Sequence, residues 1–439
     1  MNQAFFIILQ SEINFFRRRT DFCPIKNLKP VSENLSPNQK ALRRLKRNKP
    51  ALFGLGLIAF SIVVAIFGYV LSPDSTPNAN DQLPTIALKD LGFQVKILKI
   101  QKNREIQKSN FLSVLLWGSE NEFEIVPINN FTIKGDSVFY EKYAGENPDT
   151  TQLSLRAERG RRGHQEAIHI ADVAYNIPYE ETNKVQVEQD FYIIGNKKFE
   201  KSKTLQLVEN QIVTRRFYLG TDNYGRDNLS RLIIGVRISL IVGLIAVIIS
   251  LTIGILLGAL AGYFGGRLDN FIMLLINTIW SIPTILLVFA IVLAFGKSIG
   301  IIFLAVGLTM WVDVARLVRG QVLALKEISF VEAAQSMGFS TGRILMRHIL
   351  PNILGPVMVV AASNFATAIL IESGLSYLGF GIQPPTPSWG TMLNENYGYA
   401  IGGKPFLALV PAIAIMLMVL AFNLVGNGFR DALDVKSRN

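Results

Sequence analysis

Cysteine and histidine are scarce in this chain of 439 residues, which has one cysteine and three histidines. Because Cys23 has no second cysteine to pair with, an intrachain disulfide and a cysteine metal site are both excluded. The histidines are scattered along the sequence, so we expect no metal site. Charged residues are also few, at 18% of the chain.

A complete phosphate-binding loop is missing as well. Gly296, Lys297 and Ser298 resemble the end of such a loop, but the motif needs a glycine at the position that Ile291 occupies. We also find no constellation of a nucleophile with an acid and a base. The sequence therefore predicts no catalytic residue, no ATP hydrolysis and no cofactor on this chain.

Apolar residues dominate what is present. They make up 50% of the chain, a share that is unusual for a soluble protein of this length. The net charge of +11 would suit a nucleic-acid partner. The basic excess lies largely beside apolar runs, however, where the positive-inside rule places it. We therefore predict a polytopic membrane protein that contacts membrane lipid and binds no nucleic acid.

The first predicted span is Ala51–Leu71, because about 20 apolar residues cross a hydrocarbon core of about 30 Å. A basic cluster precedes it and places residues 1–50 in the cytoplasm. Phe5–Leu9 is too short for the core of a signal peptide. The basic cluster consists of Lys40, Arg43, Arg44, Lys46, Arg47 and Lys49.

Residues 72–216 have a different pattern. Apolar and polar residues alternate in Phe93–Ile100, Phe131–Tyr140 and Val185–Ile194, with turn-forming residues between them. Acidic and basic residues are nearly balanced. We predict a β-rich extracytoplasmic insert that folds as a separable domain. Its one basic cluster is predicted to be a solvated loop, and it contains Arg159, Arg161, Arg162 and His164.

Residues 217–435 form the second half of the predicted membrane core. The five further spans are Ile238–Tyr263, Phe271–Phe295, Ile299–Val318, Ile353–Ile371 and Phe406–Val425. Small residues at Gly254, Gly258 and Gly262 predict close approach of another helix. Ser281 and Pro283 predict a kink in the third span. With the first span, the total of six places both chain termini in the cytoplasm.

Polar residues within or beside the spans are candidates for a translocation path. Asn364 and Glu372 belong to the fifth span and Asp313 to the fourth, one turn before Arg316. Glu372 lies near a helix end, where an interfacial position is an equal alternative. Trp389, in the proline-rich loop Gly374–Met392, fits an interfacial anchor.

The most informative stretch is residues 328–352, which connects the fourth and fifth spans. Its main part reads VEAAQSMGFSTGRILMRHILPN. We predict a short helix over Ile328–Met337, a turn with positive φ at Gly338, and a second, basic helix that Pro351 ends. Such a basic helical loop at the membrane surface suits a docking surface.

Several motifs carry a family resemblance. Glu332-Ala333-Ala334, the following Gly338 and the closing HILP segment resemble the EAA loop of ABC-importer permeases. Other segments resemble dipeptide and oligopeptide permeases: FYLGTDNYGRDNLS before the second span, GLSYLGFGIQPPTPSWGTM before the sixth, and FNLVGNGFRDALD at the end. Together they resemble the C-type permease subunit of dipeptide, oligopeptide and nickel importers. The insert and the N-terminal extension depart from that pattern.

The resemblance implies a type I ABC importer permease in the bacterial inner membrane. Its implied partners are a second permease subunit in a heterodimer, two ABC ATPase subunits that hold ATP and Mg, and an extracytoplasmic substrate-binding protein. It implies that the EAA loop docks on the ATPase. The residues to which it assigns this docking are Glu332, Ala333, Ala334, Met337, Gly338 and Phe339. We assign a structural role to the motif residues Gly220, Asp222, Gly225, Arg226, Asp227 and Trp389.

Peptide is the substrate class that this resemblance favours, with nickel or another small solute as the alternative. Two hypotheses from other classes stay open. An intramembrane enzyme would use Glu372, Asp313 and His348, but the predicted topology places these residues on different faces of the membrane. A membrane sensor would read an outside signal through the insert, although six spans and a docking loop exceed what a sensor needs.

Overall fold

The computed structural model describes residues 37–104, 110–145, 165–177, 185–194 and 197–433. Helices form most of the described chain, and two β-sheets lie between its first and second long helices. The helices are Pro37–Leu45 (α1), Lys49–Leu71 (α2), Phe111–Trp117 (α3), Ile170–Ala174 (α4), Lys201–Gln211 (α5), Asn228–Phe264 (α6), Gly266–Trp280 (α7), Thr284–Phe295 (α8), Ile299–Lys326 (α9), Ser329–Ser336 (α10), Thr341–Ile344 (α11), Leu350–Tyr377 (α12), Trp389–Ile401 (α13) and Phe406–Leu433 (α14). The strands are Phe93–Gln101 (β1), Phe123–Lys134 (β2), Ser137–Lys142 (β3), Gln165–His169 (β4), Gln186–Val187 (β5), Phe191–Ile194 (β6), Lys197–Glu200 (β7) and Ile212–Phe217 (β8). The predicted fold class, mainly helical with a β-rich insert, is confirmed.

Within the described residues, five helical segments are long and apolar enough to cross a membrane, and a bent pair raises the total to six. The five are α2, α6, α9, the segment Thr341–Tyr377 and α14. The bent pair is α7 and α8, which meet at 89°. The break falls at residues 281–283, where Pro283 precedes α8 and supplies no N–H to a continuous helix. The kink that Ser281 and Pro283 predicted in the span Phe271–Phe295 is therefore confirmed, as a sharp bend between α7 and α8.

Glycines bring α6 and α9 into close contact, as the small-residue spacing predicted. A Cβ on Gly254 would lie 2.5 Å from the Cβ of Val314, and a Cβ on Gly258 would lie 2.5 Å from the carbonyl oxygen of Ala315. At Gly262 it would lie 2.8 Å from the Arg319 carbonyl oxygen. The absence of side chains on this face of α6 therefore determines the distance between the two helices.

The insert is built on an antiparallel sheet with strand order β4-β3-β2-β1-β8, beside a smaller sheet of order β5-β6-β7. The strand predicted at Phe93–Ile100 is confirmed as β1. The pattern over Phe131–Tyr140 is not one strand, because Gly135 adopts a φ of +58° and turns β2 into β3. Val185–Ile194 likewise contains two short strands. The basic cluster at residues 159–164 lies outside the described residues.

Pro351 does not end the helix that follows the central turn. A π-helical turn, Leu345–Ile349, joins α11 to α12, and the Leu350 N–H donates to the Leu345 carbonyl five residues back. The next residue, Pro351, occupies the first turn of α12. No N–H is required there, so the proline is accommodated instead of stopping the chain.

Candidate functional site

The helical hairpin between α9 and α12 packs its inner face against the membrane helices. Val331 and Ala334 of α10 are buried in a cluster that includes Val318, Ile344 and Ile349. This cluster joins α9, α10 and the start of α12 through apolar contacts. The hairpin is therefore a firmly packed extension of two spans.

Gly338 forms the turn of this hairpin with a φ of +77°. Its N–H donates to the Gln335 carbonyl at 2.9 Å, and the Phe339 N–H donates to the Ala334 carbonyl at 3.2 Å. These two bonds close the C-terminus of α10 in the Schellman pattern, which requires a left-handed residue where Gly338 stands. The predicted positive φ is confirmed.

The outer face of α10 exposes apolar side chains around one carboxylate. The side chains of Phe330 and Met337 are 42% and 65% exposed, and Ile328, just before the helix, is 40% exposed. Glu332 and Ala333 are exposed beside them. We name this set, Ile328, Phe330, Glu332, Ala333 and Met337, the α10 surface. It combines apolar contact area with one negative charge.

Two residues of the predicted docking set face inward. Ala334 is buried, because it lies on the packed face of α10. Phe339 is half-buried and stacks on His348 at a centroid distance of 6.1 Å. Phe330 is not among the docking residues predicted from the sequence, although its spacing from Ala333 and Met337 places all three on one helical face.

The three candidate residues for a translocation path lie in different environments. The Asn364 amide donates to the Ser250 hydroxyl at 3.3 Å and to the Met310 carbonyl at 3.4 Å, which links α12 to α6 and α9. Glu372 is fully buried inside the helix bundle. Asp313 is exposed on the surface of α9. The structure therefore does not bring the three together.

Glu372 is held by hydroxyl groups. Ser376, one turn later, donates to one carboxyl oxygen at 2.7 Å, and Ser373 donates to the other at 3.4 Å. These bonds satisfy a carboxyl group that sits inside the helix bundle. Through these contacts Asn364 links α12 to two other spans and Glu372 is bonded within its own helix, whereas Asp313 is the exposed member of the set.

A buried ion network lies at the start of α6. Arg226 donates to Asp222 at 2.6 Å and to Glu395 of α13 at 2.7 Å. Arg231 reaches the same Glu395 oxygen at 3.0 Å and lies 3.7 Å from Asp222. Asp222, Arg226 and Arg231 of the motif thus share one salt-bridged network, and Glu395 is a partner that was not among the residues singled out in the sequence.

The glycines of the same motif let the first part of the insert contact the membrane core. Gly220 and Gly225 have positive φ values. A Cβ at these positions would lie 2.3 Å from the Lys89 carbonyl oxygen and 1.8 Å from that of Leu83. No residue with a side chain fits at position 220 or 225. Residues 83–89 therefore pack directly against the backbone of the motif.

Asp227 caps α6. The Ser230 backbone N–H donates to its carboxylate at 3.1 Å, and the Ser230 hydroxyl donates to the same oxygen. Burial raises the pKa of the Asp227 carboxyl above its usual range, and the bonds from Ser230 act in the opposite direction. Both the cap and the ion network thus fix where the second span begins.

Trp389 is not an interfacial anchor, because it is 2% exposed. Its indole N–H donates to the Leu232 carbonyl at 3.1 Å, and the ring lies against Gly235. Ser388 caps α13 at the preceding position through a capping box with Thr391. The tryptophan therefore holds helix α13 against the start of α6.

Within the described residues, no group of three or more histidine, cysteine, aspartate or glutamate side chains could hold a metal ion. The geometry therefore presents an exposed apolar and acidic surface on one hairpin, an exposed carboxylate on a span, and a rigid ion network. These features suit binding and mechanical coupling, and they include no arranged nucleophile.

Two family descriptions match the chain. The binding-protein-dependent transport system inner membrane component matches residues 254–439, and the N-terminal transmembrane domain of oligopeptide transport permease C matches residues 36–85. Most of the insert, from residue 86 onward, lies between the two matched ranges. The α10 surface and Asp313 lie within the first range.

Relatives with curated descriptions agree. The oligopeptide transport system permease protein OppC of Escherichia coli K12 is 48% identical over 221 residues, which are 50% of this chain and 73% of that protein. The glutathione transport system permease protein GsiD of Escherichia coli O6:K15:H31 is 46% identical over 219 residues, 50% of this chain and 72% of that protein. The inward-facing MetNI methionine ABC transporter overlaps with a TM-score of only 0.38 at 21% identity, and covers 46% of this chain and 96% of its own. The chain therefore belongs to the binding-protein-dependent transport system inner membrane components, as a C-type permease subunit of an ABC importer.

Proposed function

We propose that this permease forms, with a second permease subunit, the translocation path of an ATP-driven importer of peptides. The substrate class is supported by the relatives, whose names specify oligopeptide and glutathione, both of them peptides. Nickel or another small solute is the alternative that an uptake assay decides. The hydrolysis of ATP belongs to two separate ATPase subunits, which carry the nucleotide and Mg.

The α10 surface would couple the ATPase to the membrane spans, and its exposure is the observation that supports the proposal most strongly. Phe330 and Met337 expose apolar side chains on a helix whose other face is buried against two spans. They would enter an apolar groove on the ATPase, where Glu332 would pair with a basic residue. Because α10 is packed against α9 and α12, movement of the ATPase would displace both spans as rigid bodies.

Asp313 is proposed to line the translocation path. It is exposed on a span, and its neighbour Arg316 is occupied, because its guanidinium lies 3.9 Å from the ring centroid of Trp280 and donates to Asn277 at 3.4 Å. A carboxylate that is exposed on a span suits the ammonium group of a peptide. Asn364 and Glu372 would support the path by fixing the helices around it.

In the proposed orientation, the α10 surface lies in the cytoplasm and residues 72–216 lie outside, where they face the substrate-binding protein. Basic residues near the hairpin, including Lys326, Arg343 and Arg347, support this orientation. Reporter fusions test it. Fusions at Gly145 and Asn394 should report an outside location, and fusions at Gly342 and after Asn439 an inside location. A cytoplasmic signal at Gly145 would overturn the six-span topology.

The proposed function is tested by uptake and by affinity capture from the same cells. A strain without the gene should lose ATP-dependent uptake of a radiolabelled oligopeptide, and the wild-type gene should restore it. Capture of the tagged chain should retrieve a subunit that hydrolyses ATP. If the strain without the gene kept its peptide uptake and lost nickel uptake, the substrate would be nickel instead of peptide. Capture of no ATPase would contradict the coupling role.

A further inference from the structure

The short helix α3 of the insert carries an apolar patch that its own domain leaves uncovered. Phe111, Leu112, Leu116 and Trp117 are 67%, 69%, 54% and 73% exposed. The helix reads FLSVLLW and contains no charged residue. None of its side chains is buried in the core of the insert.

The guanidinium of Arg237, on α6, holds α3 against the first span. It donates to the carbonyls of Leu116 and Leu115 at 2.6 and 2.9 Å. It also donates to the carbonyls of Ala65 and Ile66, on α2, at 2.9 and 3.3 Å. One cation therefore joins the last carbonyls of α3 to the side of a membrane span, a pairing typical of charged groups at membrane depth.

The C-terminal end of α3 is fixed to the end of α2. The Ser119 N–H donates to the Ser75 carbonyl at 2.9 Å. Gly118 has a φ of +78°, and a Cβ there would lie 2.7 Å from the Ser75 carbonyl oxygen and 3.0 Å from the Tyr69 ring. The contact with α2 is thus too close to admit a side chain, which makes the position of α3 specific.

These contacts determine the depth of α3 relative to the span. Ala65 and Ile66 precede the end of α2 at Leu71 by a turn and a half. At 1.5 Å per residue, the bridge from Arg237 reaches α2 about 8 Å before the end of the span. The contacts of Gly118 with Tyr69 and Ser75 place the end of α3 beside the last turn of α2. The exposed apolar face of α2 continues beside it and includes Phe60, Ile62, Val63, Ile66, Phe67 and Val70.

We propose that α3 is an interfacial helix that anchors the insert in the outer leaflet of the membrane. The occupant of the patch is lipid, because the patch continues the apolar face of a span at the same depth and presents no charge to a protein partner. Trp117, at the end nearest the span, would lie at the boundary between acyl chains and headgroups, where tryptophan is enriched. The anchor would hold the insert at a fixed height over the permease.

Spin labels on the full-length chain test this proposal. The chain is purified with the subunits expressed beside it and reconstituted in vesicles of phosphatidylethanolamine and phosphatidylglycerol. In a Cys23→Ser background, single cysteines are introduced by Leu112→Cys, by Phe60→Cys on the exposed face of α2, and by Lys134→Cys at the hairpin of the insert. All three positions are exposed, so the labels should not disturb packing. Collisions with oxygen, which concentrates in lipid, are compared with collisions with a water-soluble nickel chelate.

We expect the oxygen-to-chelate collision ratio at position 112 to be several-fold above that at position 134. It should stay below the ratio at position 60, because Phe60 lies at the middle of α2 and therefore deeper in the bilayer. A ratio equal to that at position 134 would show that α3 lies in water. Shielding from both reagents would show that a protein subunit covers the patch. Either of these results would overturn the proposal.

Discussion

Arg226 and Glu395 are 169 residues apart in the sequence, and their side chains meet at 2.7 Å in a buried network. Arg231 shares the same glutamate oxygen, so one carboxylate serves two guanidinium groups that are 1–2% exposed. Asp222 supplies the second negative charge. This network ties α13 to the start of α6 on the side where the insert joins the core.

Glu395→Gln should destabilise the permease strongly, because it leaves two buried guanidinium groups with one carboxylate. Loss of one partner from a buried pair costs about 3–5 kcal/mol. The thermal unfolding midpoint in detergent should fall clearly. Glu122→Gln is the matched control, since Glu122 is exposed on the insert, and its midpoint should stay within experimental error. Equal midpoints for the two variants would show that the network contributes little.

Gly258→Ala should weaken the contact between α6 and α9. The new methyl group would lie 2.5 Å from the Ala315 carbonyl oxygen, so one helix must move away. Overpacking of this kind costs about 1–3 kcal/mol. Gly56→Ala is the control, because nothing lies within 4 Å of a Cβ at Gly56 on α2. The amount of folded protein in the membrane should fall for the first variant and not for the second.

Aspartate substitutions at two neighbouring positions of α10 should distinguish an effect on folding from an effect on ATPase docking. Ala334 is buried in the apolar cluster behind α10, so Ala334→Asp should lower accumulation by burying an unpaired carboxylate. Ala333 is exposed on the α10 surface, so Ala333→Asp should accumulate normally and lose co-purification with the ATPase. Normal ATPase binding by Ala333→Asp would remove this face from the docking interface.

Asp313→Asn tests the translocation path. Removal of the carboxylate should raise the substrate concentration needed for half-maximal uptake of peptides with a free N-terminal ammonium group. Uptake of the same peptides with an acetylated N-terminus should change little, and ATPase binding should be unaffected. An equal effect on both kinds of peptide would indicate that Asp313 does not recognise the ammonium group.

Local features were predictable from the sequence because each depends on neighbouring residues. The turn at Gly338 follows from helix-ending chemistry, and the contact of α6 with α9 follows from glycines spaced one turn apart. The kink near Pro283 was also predictable, although its 89° angle was not.

Features that depend on distant partners were not predictable. Glu395 has no local signal for its pairing with Arg226, since the two belong to separate helices. Trp389 has the composition of an interfacial residue, and only the approach of Gly235 buries it. A proline such as Pro351 normally ends a helix. The π-helical turn that accommodates it is a backbone adjustment, and no sequence pattern predicts it.

Gly338→Val tests the coupling hypothesis most directly. Valine at a φ of +77° is strained by about 1–2 kcal/mol or more, so the Schellman turn that positions α10 should deform. Nothing lies within 4 Å of a Cβ at this position, so strain and not collision inside the chain is the expected cause. Gly342→Val adds the same bulk at a helical position that is equally open, and serves as the matched control.

The decisive measurement is ATP-dependent peptide uptake, normalised to the amount of permease in the membrane and read together with the ATPase that co-purifies. We expect Gly338→Val to accumulate like the wild type, to lose most uptake and to retain little ATPase, whereas Gly342→Val should stay near wild type in all three. Normal uptake by Gly338→Val, or loss of uptake only because the protein no longer accumulates, would contradict the coupling hypothesis.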